Sequence, residues 1–435
     1  MHQRINMAPT APLLTQLAEE ISRNTSVIVE HLTSNSLPQP SFDADGPPHP
    51  IPDNDEWLLE ARHALIEATR ALHALAVGPA ETTRLFYFNQ IYFVGAMQVL
   101  CHYHVPQHVP HHGAISIPEL ASKAGLGEGL LARFLRMAAT GYYFTEPRPG
   151  FIAHTAWSKT LATDEKMRAC VWFRHTEMMS SVTKLVDAVE NHPGSAEPRD
   201  TAFTLAFGDT FFDYKEKYPD HMVKFGLFAD AFASGIEADT AQSIARAYAW
   251  DGLPVDSLVV DVGGGIGRIS AAIARKHAHL KFQIQDFGDL VGESRLLLQE
   301  NGVADRVQFH VHSFFDPQPE TARGAAVYFL RNIMHNWSDL YCRRILKPIV
   351  EAMGPDSRIV ICDIVLPEPN TMMKTREAIV RALDLTMLSM FNAKERSYDE
   401  WQKLFTSVDP KLRITAVVGR PRMGTDSLIE ARLVS

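Results

Sequence analysis

Four glycines follow an acidic residue at the end of an apolar run in the stretch VVDVGGGIGRIS, residues 259–270. Glycine lets the backbone turn sharply, and it lets a ligand approach the main chain where a Cβ atom would stand in the way. An apolar strand, an acid and a glycine-rich turn before an amphipathic helix are typical of cofactor-binding sheets. We therefore expect Asp261, Gly263 and Gly265 to belong to a cofactor-binding loop.

A second acid, Asp286, ends the next predicted strand, about 20 residues beyond the last glycine. An acid at this place hydrogen-bonds the two hydroxyls of a ribose. The glycine spacing is tighter than the dinucleotide fingerprint G-x-G-x-x-G, because Arg268 stands three residues after Gly265. The loop therefore departs from that of a dehydrogenase, and a simple tight turn beside a surface acid is the plainer alternative.

A group of histidines lies upstream, within residues 102–112. Its members are His102, His104, His108, His111 and His112. Pro106 and Pro110 favour an extended segment, and no cysteine or acid stands at metal-ligand spacing. We expect a solvated connecting loop rather than a metal site.

The glycine loop and Asp286 are positioned by a region after Leu253 in which apolar strands alternate with amphipathic helices. Its successive segments are LVVDVG, RISAAIARKHA, KFQIQDF, GESRLLLQENG, VQFHVH, AAVYFLRNIM, YCRRILKPIVEAM and SRIVICDIVL. This alternation predicts an α/β fold, with a Rossmann-like, doubly wound parallel sheet covered on both faces.

The amino-terminal half is predicted to be mostly helical. Helices are expected at 13–34, 56–77, 85–103, 165–195 and 220–249, with a proline-rich linker or extended arm from Leu37 to Glu56. The last two helices bracket the aromatic stretch AFTLAFGDTFFDYKEKYPD. We therefore divide the chain into an arm at 1–56, a helical domain at 57–200 and a cofactor-binding domain at 201–435.

Two short helices near 116–124 and 127–140, a turn at Gly125 and two strand-like pieces around a Pro-Arg-Pro-Gly tip form a winged helix-turn-helix pattern. The second helix is apolar and carries Arg133 and Arg136 as its arginines, whereas a DNA-reading helix needs more polar side chains. We therefore expect no nucleic-acid partner.

The composition is that of a globular protein: 435 residues, 46% of them hydrophobic, with a formal net charge of -9. This charge gives no general attraction to nucleic acid or to anionic membranes. The four cysteines, at 101, 170, 342 and 362, are scattered, which favours a reducing compartment and hence the cytosol. No apolar run is long enough to span a membrane or to act as an export signal.

From the winged-helix region to the carboxyl terminus the chain resembles the S-adenosylmethionine-dependent O-methyltransferases of the plant caffeic-acid and fungal secondary-metabolite type. The motifs that carry the resemblance are VVDVGGGIG, QDF, YFLRNIMHNWSD, ICDIVLPEP and FNAKERSYDEW. The resemblance implies that the glycine loop holds the methionine part of the donor and that Asp286, beside Phe287, binds its ribose. It places Ser313 and Phe314 at the adenine, where the family usually has Asp and an apolar residue, and Arg331 near the cofactor.

The resemblance also implies how the reaction is catalysed. A sulfonium methyl group needs no activation, but a phenol or enol oxygen is a poor nucleophile until its proton leaves, so a positioned base supplies much of the rate. His335 corresponds to the family's general base, and Asp363 and Glu395 to the acids that orient its ring. The family motif usually reads His-Asp-Trp, and Asn336 replaces its Asp. A phenolic or enolic hydroxyl of a small secondary metabolite is the expected acceptor.

The substrate is expected to be a small aromatic or polyketide-type compound, gripped by aromatic and thioether side chains. The candidates are His175, Phe207, Phe211, Met387 and Met390, together with Trp172, Met178 and Phe212. Ordinary core packing explains each of these equally well. The family dimerises through amino-terminal helices, and residues 13–34 and 85–103 are apolar enough to serve, so we expect a homodimer.

Two other functions fit the same sequence. Some fungal proteins that resemble this family bind S-adenosylmethionine without transferring its methyl group and catalyse dehydration or pericyclic cyclisation, for which Arg331 and His175 are the candidate residues. The presence of His335, Asp363 and Glu395 favours methyl transfer. A winged-helix regulator with an inactive cofactor fold would instead bind DNA with a steep salt dependence.

Overall fold

The computed structural model of the protein describes residues 11–49, 51, 55–236, 240–419 and 426–434. Its α-helices are, in chain order, α1 Leu13–Ser34, α2 Glu56–Val77, α3 Pro79–Glu81, α4 Tyr87–His102, α5 Val105–His108, α6 Ile117–Ala124, α7 Glu128–Ala139, α8 Ala156–Thr163, α9 Glu165–Phe173, α10 Met179–Val182, α11 Leu185–Asn191, α12 Ala202–Phe207, α13 Phe211–Lys217, α14 Pro219–Ile236, α15 Thr240–Ala247, α16 Arg268–Lys276, α17 Val291–Glu300, α18 Asp339–Ala352, α19 Lys374–Phe391 and α20 Tyr398–Val408. Its strands are β1 Ile115–Ser116, β2 Thr145–Arg148, β3 Phe151–Ala153, β4 Leu258–Val262, β5 Lys281–Asp286, β6 Val307–Val311, β7 Val327–Arg331, β8 Arg358–Leu366, β9 Arg396–Ser397, β10 Leu412–Gly419 and β11 Asp426–Leu433.

The chain divides into two compact units. The first comprises Met1–Thr176 and Val223–Ala231, and the second comprises Glu177–Met222 and Phe232–Ser435. The first unit is mostly helical, as predicted, and holds a small antiparallel sheet of order β1-β3-β2. The predicted helices around Gly125 are present as α6 and α7, and the predicted strand pair as β2 and β3.

The second unit is built on a mixed sheet of order β10-β11-β8-β7-β4-β5-β6. The pairs from β8 across to β6 are parallel, which confirms the predicted doubly wound α/β sheet. The hairpin of β10 and β11 extends the sheet with antiparallel pairing that the alternation of strands and helices does not predict. Because the parallel strands β4, β5 and β7 end at one edge, the segments that follow them meet there.

The core of the second unit covers both faces of this sheet. Val259 and Val260, neighbours on β4, belong to two separate buried clusters, because successive side chains of a strand point to opposite faces. One cluster includes residues of α18 and α20, and the other includes residues of α15 and α16. Burial on both faces explains why the strands are almost continuously apolar.

Two predictions need correction, that of an extended histidine segment and that of one long helix. The histidine segment is not wholly extended, because Val105–His108 forms α5, with Pro106 in its first turn, where proline is compatible with a helix. The helix expected at 165–195 is interrupted by a π-helical turn at Arg174–Met178, and a separate helix, α11, begins at Leu185. The aromatic stretch between the expected helices forms α12 and α13.

The predicted arm from Leu37 to Glu56 is held against the first unit. The ring of Phe42 stacks on Tyr142 and Trp157, with centroid distances of 4.5 and 5.1 Å. Asp45 accepts a hydrogen bond from Lys159 at 2.6 Å. Residues 50 and 52–54 of the arm lie outside the described residues, as do residues 1–10 and residues 237–239 of the helix expected at 220–249.

None of the helices in the described part of the chain combines the length and the apolar character that crossing a membrane requires. The same residues contain no group of three or more His, Cys, Asp or Glu side chains placed to hold a metal ion. The cytosolic location stays a prediction.

Candidate active site

The glycine loop connects the end of β4 to the start of α16. Gly265 has a φ of +58° and Gly267 a φ of +89°, a left-handed region that favours glycine. A Cβ atom at Gly267 would collide with the side chain of Ile284, whereas a Cβ atom at Gly265 would meet nothing within 4 Å. The loop is therefore packed against the sheet at Gly267 and faces open space at Gly265, where a ligand can reach the backbone.

Asp286 links this loop to the end of β5. One oxygen of its carboxylate accepts a hydrogen bond from the amide of Gly265 at 2.7 Å, and the other accepts one from the amide of Phe287 at 2.8 Å. Burial raises the pKa of Asp286, and these two hydrogen bonds oppose that rise. Because each carboxylate oxygen can accept a second hydrogen bond, Asp286 can also receive the hydroxyls of a ribose. The ring of Phe287 is 67% exposed.

Asp261 lies beneath the loop. Its side chain is buried, and its carboxylate accepts a hydrogen bond from the hydroxyl of Ser270 at 2.6 Å. Burial raises the pKa of Asp261 to about 6, while Ser270 and the nearby guanidinium of Arg331 act in the opposite direction. A Cβ atom at Gly264 would lie 2.6 Å from this carboxylate, so Asp261 supports the loop from below.

The predicted adenine segment follows β6. The hydroxyl of Ser313 accepts a hydrogen bond from the amide of Phe315 at 3.3 Å, which closes a short turn. The ring of Phe314 makes an edge contact with Trp337, with centroids 5.9 Å apart, and lies close to the glycine loop at Gly263. Phe314 thus joins the loop to the segment after β7.

His335 stands on a 3₁₀ turn, Met334–Asn336, just after β7. Its Nδ1 lies 2.9 Å from Oε1 of Glu395, whose side chain is 1% exposed against 17% for His335. When the N–H at Nδ1 donates a hydrogen bond to the carboxylate, Nε2 is the acceptor atom of the neutral ring. The structure therefore brings together two of the predicted catalytic residues in a pair suited to general base chemistry.

The third predicted residue, Asp363, is fully buried in β8, opposite Ser427 of β11 in the strand register. Glu395 precedes β9, which pairs in parallel with the end of β8. The amide of Glu395 donates a hydrogen bond to the carboxylate of Asp384 at 3.0 Å. Burial raises the pKa of Asp384. Glu395 is thus held by its backbone as well as by its side chain.

Arg396 is a part of this site that sequence reasoning missed. Its side chain is fully buried, and its guanidinium donates two hydrogen bonds to one carboxylate oxygen of Asp339, at 2.9 and 2.8 Å. It also donates to the carbonyl oxygens of Met334 and Trp337, on either side of His335, at 3.1 and 2.9 Å. The signal in the sequence was its place next to Glu395 in the motif AKERS.

Four of the predicted substrate-wall residues lie on helices of the second unit: Phe207 on α12, Phe211 on α13, and Met387 and Met390 on α19. Phe211, Met387 and Met390 are buried, and Phe207 is half-buried. The ring of Phe211 lies 4.8 Å from that of Phe391, the last residue of α19. These contacts join α13 to the helix that leads into the Glu395 segment.

Two further candidates belong to the first unit. Nδ1 of His175 lies 2.5 Å from the carbonyl oxygen of Val171, and burial lowers the pKa of His175. The ammonium group of Lys224 lies 4.4 Å above the ring of Trp172.

A cavity of 180 Å³ lies in the second unit, beside the loop after α11. It is lined by Leu185, Ala188, Val189, His192, Pro193, Gly194, Ser195, Asp200, Thr201, Ala202, Leu388 and Asn392. The side chain of Asn392 donates to the carbonyl oxygen of Ser195 at 3.0 Å, and the hydroxyl of Ser338 donates to that of Ala196 at 2.7 Å. This cavity was not predicted, because its loop sequence, HPGSAEPRD, shows only turn-forming residues.

Comparison with known proteins adds to this geometry. A family model described as an O-methyltransferase domain matches residues 183–409. O-methyltransferase bik3 of Gibberella fujikuroi is 35% identical to this chain over 412 residues, which cover 93% of this chain and 89% of bik3.

Two solved structures are similar. The mitomycin 7-O-methyltransferase MmcR superposes with a TM-score of 0.69 at 25% identity and covers 84% of this chain and 99% of its own. NcsB1, an O-methyltransferase from neocarzinostatin biosynthesis in complex with S-adenosylmethionine and 2-hydroxy-5-methyl naphthoic acid, has a TM-score of 0.64 at 25% identity and covers 79% of this chain and 96% of its own.

Proposed function

Because the chain belongs to the S-adenosylmethionine-dependent O-methyltransferase family of fungal secondary metabolism, we propose that it methylates a phenolic or enolic hydroxyl of a small aromatic or polyketide-type metabolite. In this proposal His335 is the general base. The observation that carries it is the 2.9 Å contact between Nδ1 of His335 and the buried carboxylate of Glu395.

His335 of this pair lies on a segment that touches the cofactor loop. A Cβ atom at Gly263 would lie 2.5 Å from the side chain of Ile333, two residues before His335. A base on this segment is therefore close to the loop that we assign to the donor. Such proximity is what transfer between a bound donor and a bound acceptor requires.

The loop fits S-adenosylmethionine, the cofactor of the family. Gly265 leaves the backbone open to a ligand, and Asp286, fixed by two backbone amides, has acceptor capacity for ribose hydroxyls. We assign Phe287, Ser313, Phe314 and Arg331 to the same pocket, with Asp261 as its support. When bound, the cofactor supplies an electrophilic methyl group on a positively charged sulfur.

The residues of this chain supply the proton transfer. Nε2 of neutral His335 takes the proton of the substrate hydroxyl, which turns a weak nucleophile into a strong one. The carboxylate of Glu395 holds the Nδ1 proton, keeps the ring in the required tautomer and stabilises the imidazolium that forms. We assign Asp363, buried on the adjoining strand, to the same orienting role.

An aromatic acceptor is supported by two observations. NcsB1 is described with a hydroxylated naphthoic acid, which is a phenolic compound. In this chain, Phe207, Phe211, Met387 and Met390 lie next to the segment that leads to Glu395, and they offer the flat, polarizable contacts that an aromatic ring favours. We also assign His175 to the substrate side.

We further propose that the protein is a homodimer. Tyr87, Phe88, Ile91 and Tyr92 are about 60% exposed on one side of α4. A contiguous apolar surface of this kind marks an interaction site, and a second copy of the chain presents the matching helix.

The test is transfer of a labelled methyl group from the donor to a panel of phenols, enols and pyridones. Labelled product supports the proposal, whereas a rearranged product without consumption of the donor overturns it in favour of cyclisation. We expect His335→Asn to lower kcat/KM by about 100-fold to 10,000-fold with little change in donor affinity. The control is His310→Asn, which places the same substitution on half-buried β6. Full activity of His335→Asn would overturn the assignment of the base.

A further inference from the structure

The guanidinium of Arg396 is enclosed by acceptors. Besides Asp339, Met334 and Trp337, it donates a hydrogen bond to the carbonyl oxygen of Lys394 at 3.3 Å and one to Sγ of Cys342 at 3.3 Å. The five N–H groups of an arginine are thus all directed at acceptors, although the side chain is fully buried. Such complete use of a planar, rigid donor set fixes the relative positions of the acceptors.

These acceptors flank both members of the His335–Glu395 pair. Met334 and Trp337 stand on either side of His335, and Lys394 immediately precedes Glu395. One rigid group therefore ties the turn after β7 to the segment before β9. The partly exposed ion pair between Lys394 and Asp339, at 3.4 Å, is a second link between these segments.

We propose that Arg396 is a positioning residue of the methyl-transfer reaction, which sets the distance and angle between the imidazole of His335 and the carboxylate of Glu395 by tying their backbone segments together. This inference rests on the proposed role of His335 as the base. It adds a residue that touches neither donor nor acceptor and acts through His335 and Glu395.

The charge of Arg396 persists in this buried place. Burial alone would lower its pKa, but the carboxylates of Asp339 and Asp363 raise the pKa instead. The thiol of Cys342 stays protonated, because burial raises its pKa to about 12. The single S–H of Cys342 has two carbonyl acceptors within reach, those of Met334 and Trp337, each 3.3 Å from Sγ. The turn that carries His335 is thus held by hydrogen bonds from two side chains, those of Arg396 and Cys342.

The ion pair joins a fully buried arginine to an aspartate that is 43% exposed. Burying a charge is a poor device for stability alone, because apolar residues of similar volume often serve as well or better. A positioning role predicts a different pattern of effects. Arg396→Met keeps the length of the side chain and removes its donors, whereas Arg396→Lys keeps the charge but lacks the planar fork. The methionine variant is therefore expected to lose more activity than the lysine variant.

The experiment measures kcat, KM, donor affinity and the pH profile of the full-length enzyme. We expect Arg396→Met to lower kcat by about 100-fold, as for a misplacement of the order of 1 Å, with a change of less than about twofold in the donor dissociation constant. The pH profile should also change, because the distance between the ring of His335 and the carboxylate of Glu395 changes. Arg396→Lys should lie between this variant and the wild type.

The matched control is Arg358→Met, which removes a partly buried arginine that pairs with Glu430 at 3.4 Å elsewhere on the same sheet. This variant is expected to lose thermal stability while kcat and the pH profile stay as in the wild type.

The proposal is overturned if Arg396→Met keeps the wild-type kcat per folded molecule and the wild-type pH profile. It is also overturned if donor affinity falls as much as kcat. Should Arg396→Met not fold, Arg396→Lys and Asp339→Asn provide the same comparison.

The two proposals are separated by a readout other than activity. NMR of imidazole-labelled protein, with the His335 signal assigned by its absence in His335→Asn, reports the titration of that ring directly. If His335→Asn keeps its activity, the role of the base fails. A shifted His335 titration in Arg396→Met would still show that Arg396 positions the pair, whereas an unshifted one would overturn that role.

Discussion

Nδ1 of His335 lies 2.9 Å from Oε1 of Glu395, although the two residues are 60 positions apart in the chain. One follows β7, the other precedes β9, and both segments lie at the same edge of the sheet. The contact assigns a tautomer to the ring, with Nδ1 as donor and Nε2 as acceptor.

Glu395→Gln tests that relationship through pH. A carboxylate favours the protonated imidazole, so its loss lowers the pKa of the ring. Since the proposed base acts in its neutral form, we expect the acidic limb of kcat/KM to move to lower pH while the plateau falls by about 10-fold to 100-fold. Rates measured from pH 5 to 9 check this. The control is Glu400→Gln, in the first turn of α20. If the acidic limb of kcat/KM does not shift in Glu395→Gln, the pairing of His335 with Glu395 is contradicted.

Gly265→Ala and Gly267→Ala should separate binding from folding. At Gly265 the added methyl group faces open space but sits at a positive φ, so we expect the donor dissociation constant to rise at least about 10-fold with a stability loss of about 1 to 2 kcal/mol. At Gly267 it collides with Ile284, so the loss of stability should be the larger of the two. Calorimetric titration measures the donor dissociation constant, and thermal unfolding measures the stability. Wild-type donor affinity in Gly265→Ala would count against a donor site at the open backbone of Gly265.

Asp261→Asn should stabilise the donor-free protein at neutral pH. The pKa of Asp261 is about 6 in the folded chain and 3.8 ordinarily, so the unfolded chain loses this proton at lower pH than the folded one. Wild-type stability therefore falls as the pH rises from about 4 to 6, by about 2 to 3 kcal/mol at this site. The variant lacks this loss, so its unfolding temperature should exceed that of the wild type at pH 7.5 and match it at pH 4. The control is Asp305→Asn, at an exposed aspartate. If the unfolding temperature of Asp261→Asn depends on pH as that of the wild type does, the buried charge at Asp261 is refuted.

The exposed side of α4 predicts the oligomeric state. We expect the wild type to sediment as twice the chain mass of 48.6 kDa, and Ile91→Glu combined with Tyr92→Glu to sediment as a single chain. A charge at the isolated, exposed Val255 should leave the mass unchanged. A wild type that stays a single chain at micromolar concentration would overturn the proposed dimer.

Much of the fold could be predicted because the local signals agree. The expected bounds of α1 and α2, 13–34 and 56–77, match the structure, since apolar periodicity stops at Pro12 and Asn35 around α1 and at Asp55 and Gly78 around α2. The helix expected at 165–195 failed because the periodicity continues through Arg174–Met178, where the backbone widens into a π-helical turn. Periodicity records which residues are apolar and not how the backbone hydrogen bonds are paired.

The site could be predicted only in part for a related reason. His335 and Glu395 were identified from motifs, because spacing along the chain cannot join residues that β8 and α19 separate. The role of Arg396 depends on the carbonyl oxygens of Met334, Trp337 and Lys394, and carbonyl direction is a property of the folded backbone. The cavity beside Asn392 likewise arises from a loop whose residues indicate a turn and nothing about its walls.

The stacking of Phe42 has a practical bearing on how the protein is produced. Shortened forms that begin at α2 are an obvious choice, since the proline-rich stretch looks dispensable. Such a form would uncover the faces of Tyr142 and Trp157 that Phe42 now covers, and it would remove Asp45 from Lys159. A truncation at that point exposes an aromatic surface, and it also removes Ile28 and Leu32 of α1 from their buried cluster with Leu58 and Ala61 of α2, so expression designs should keep both α1 and the arm.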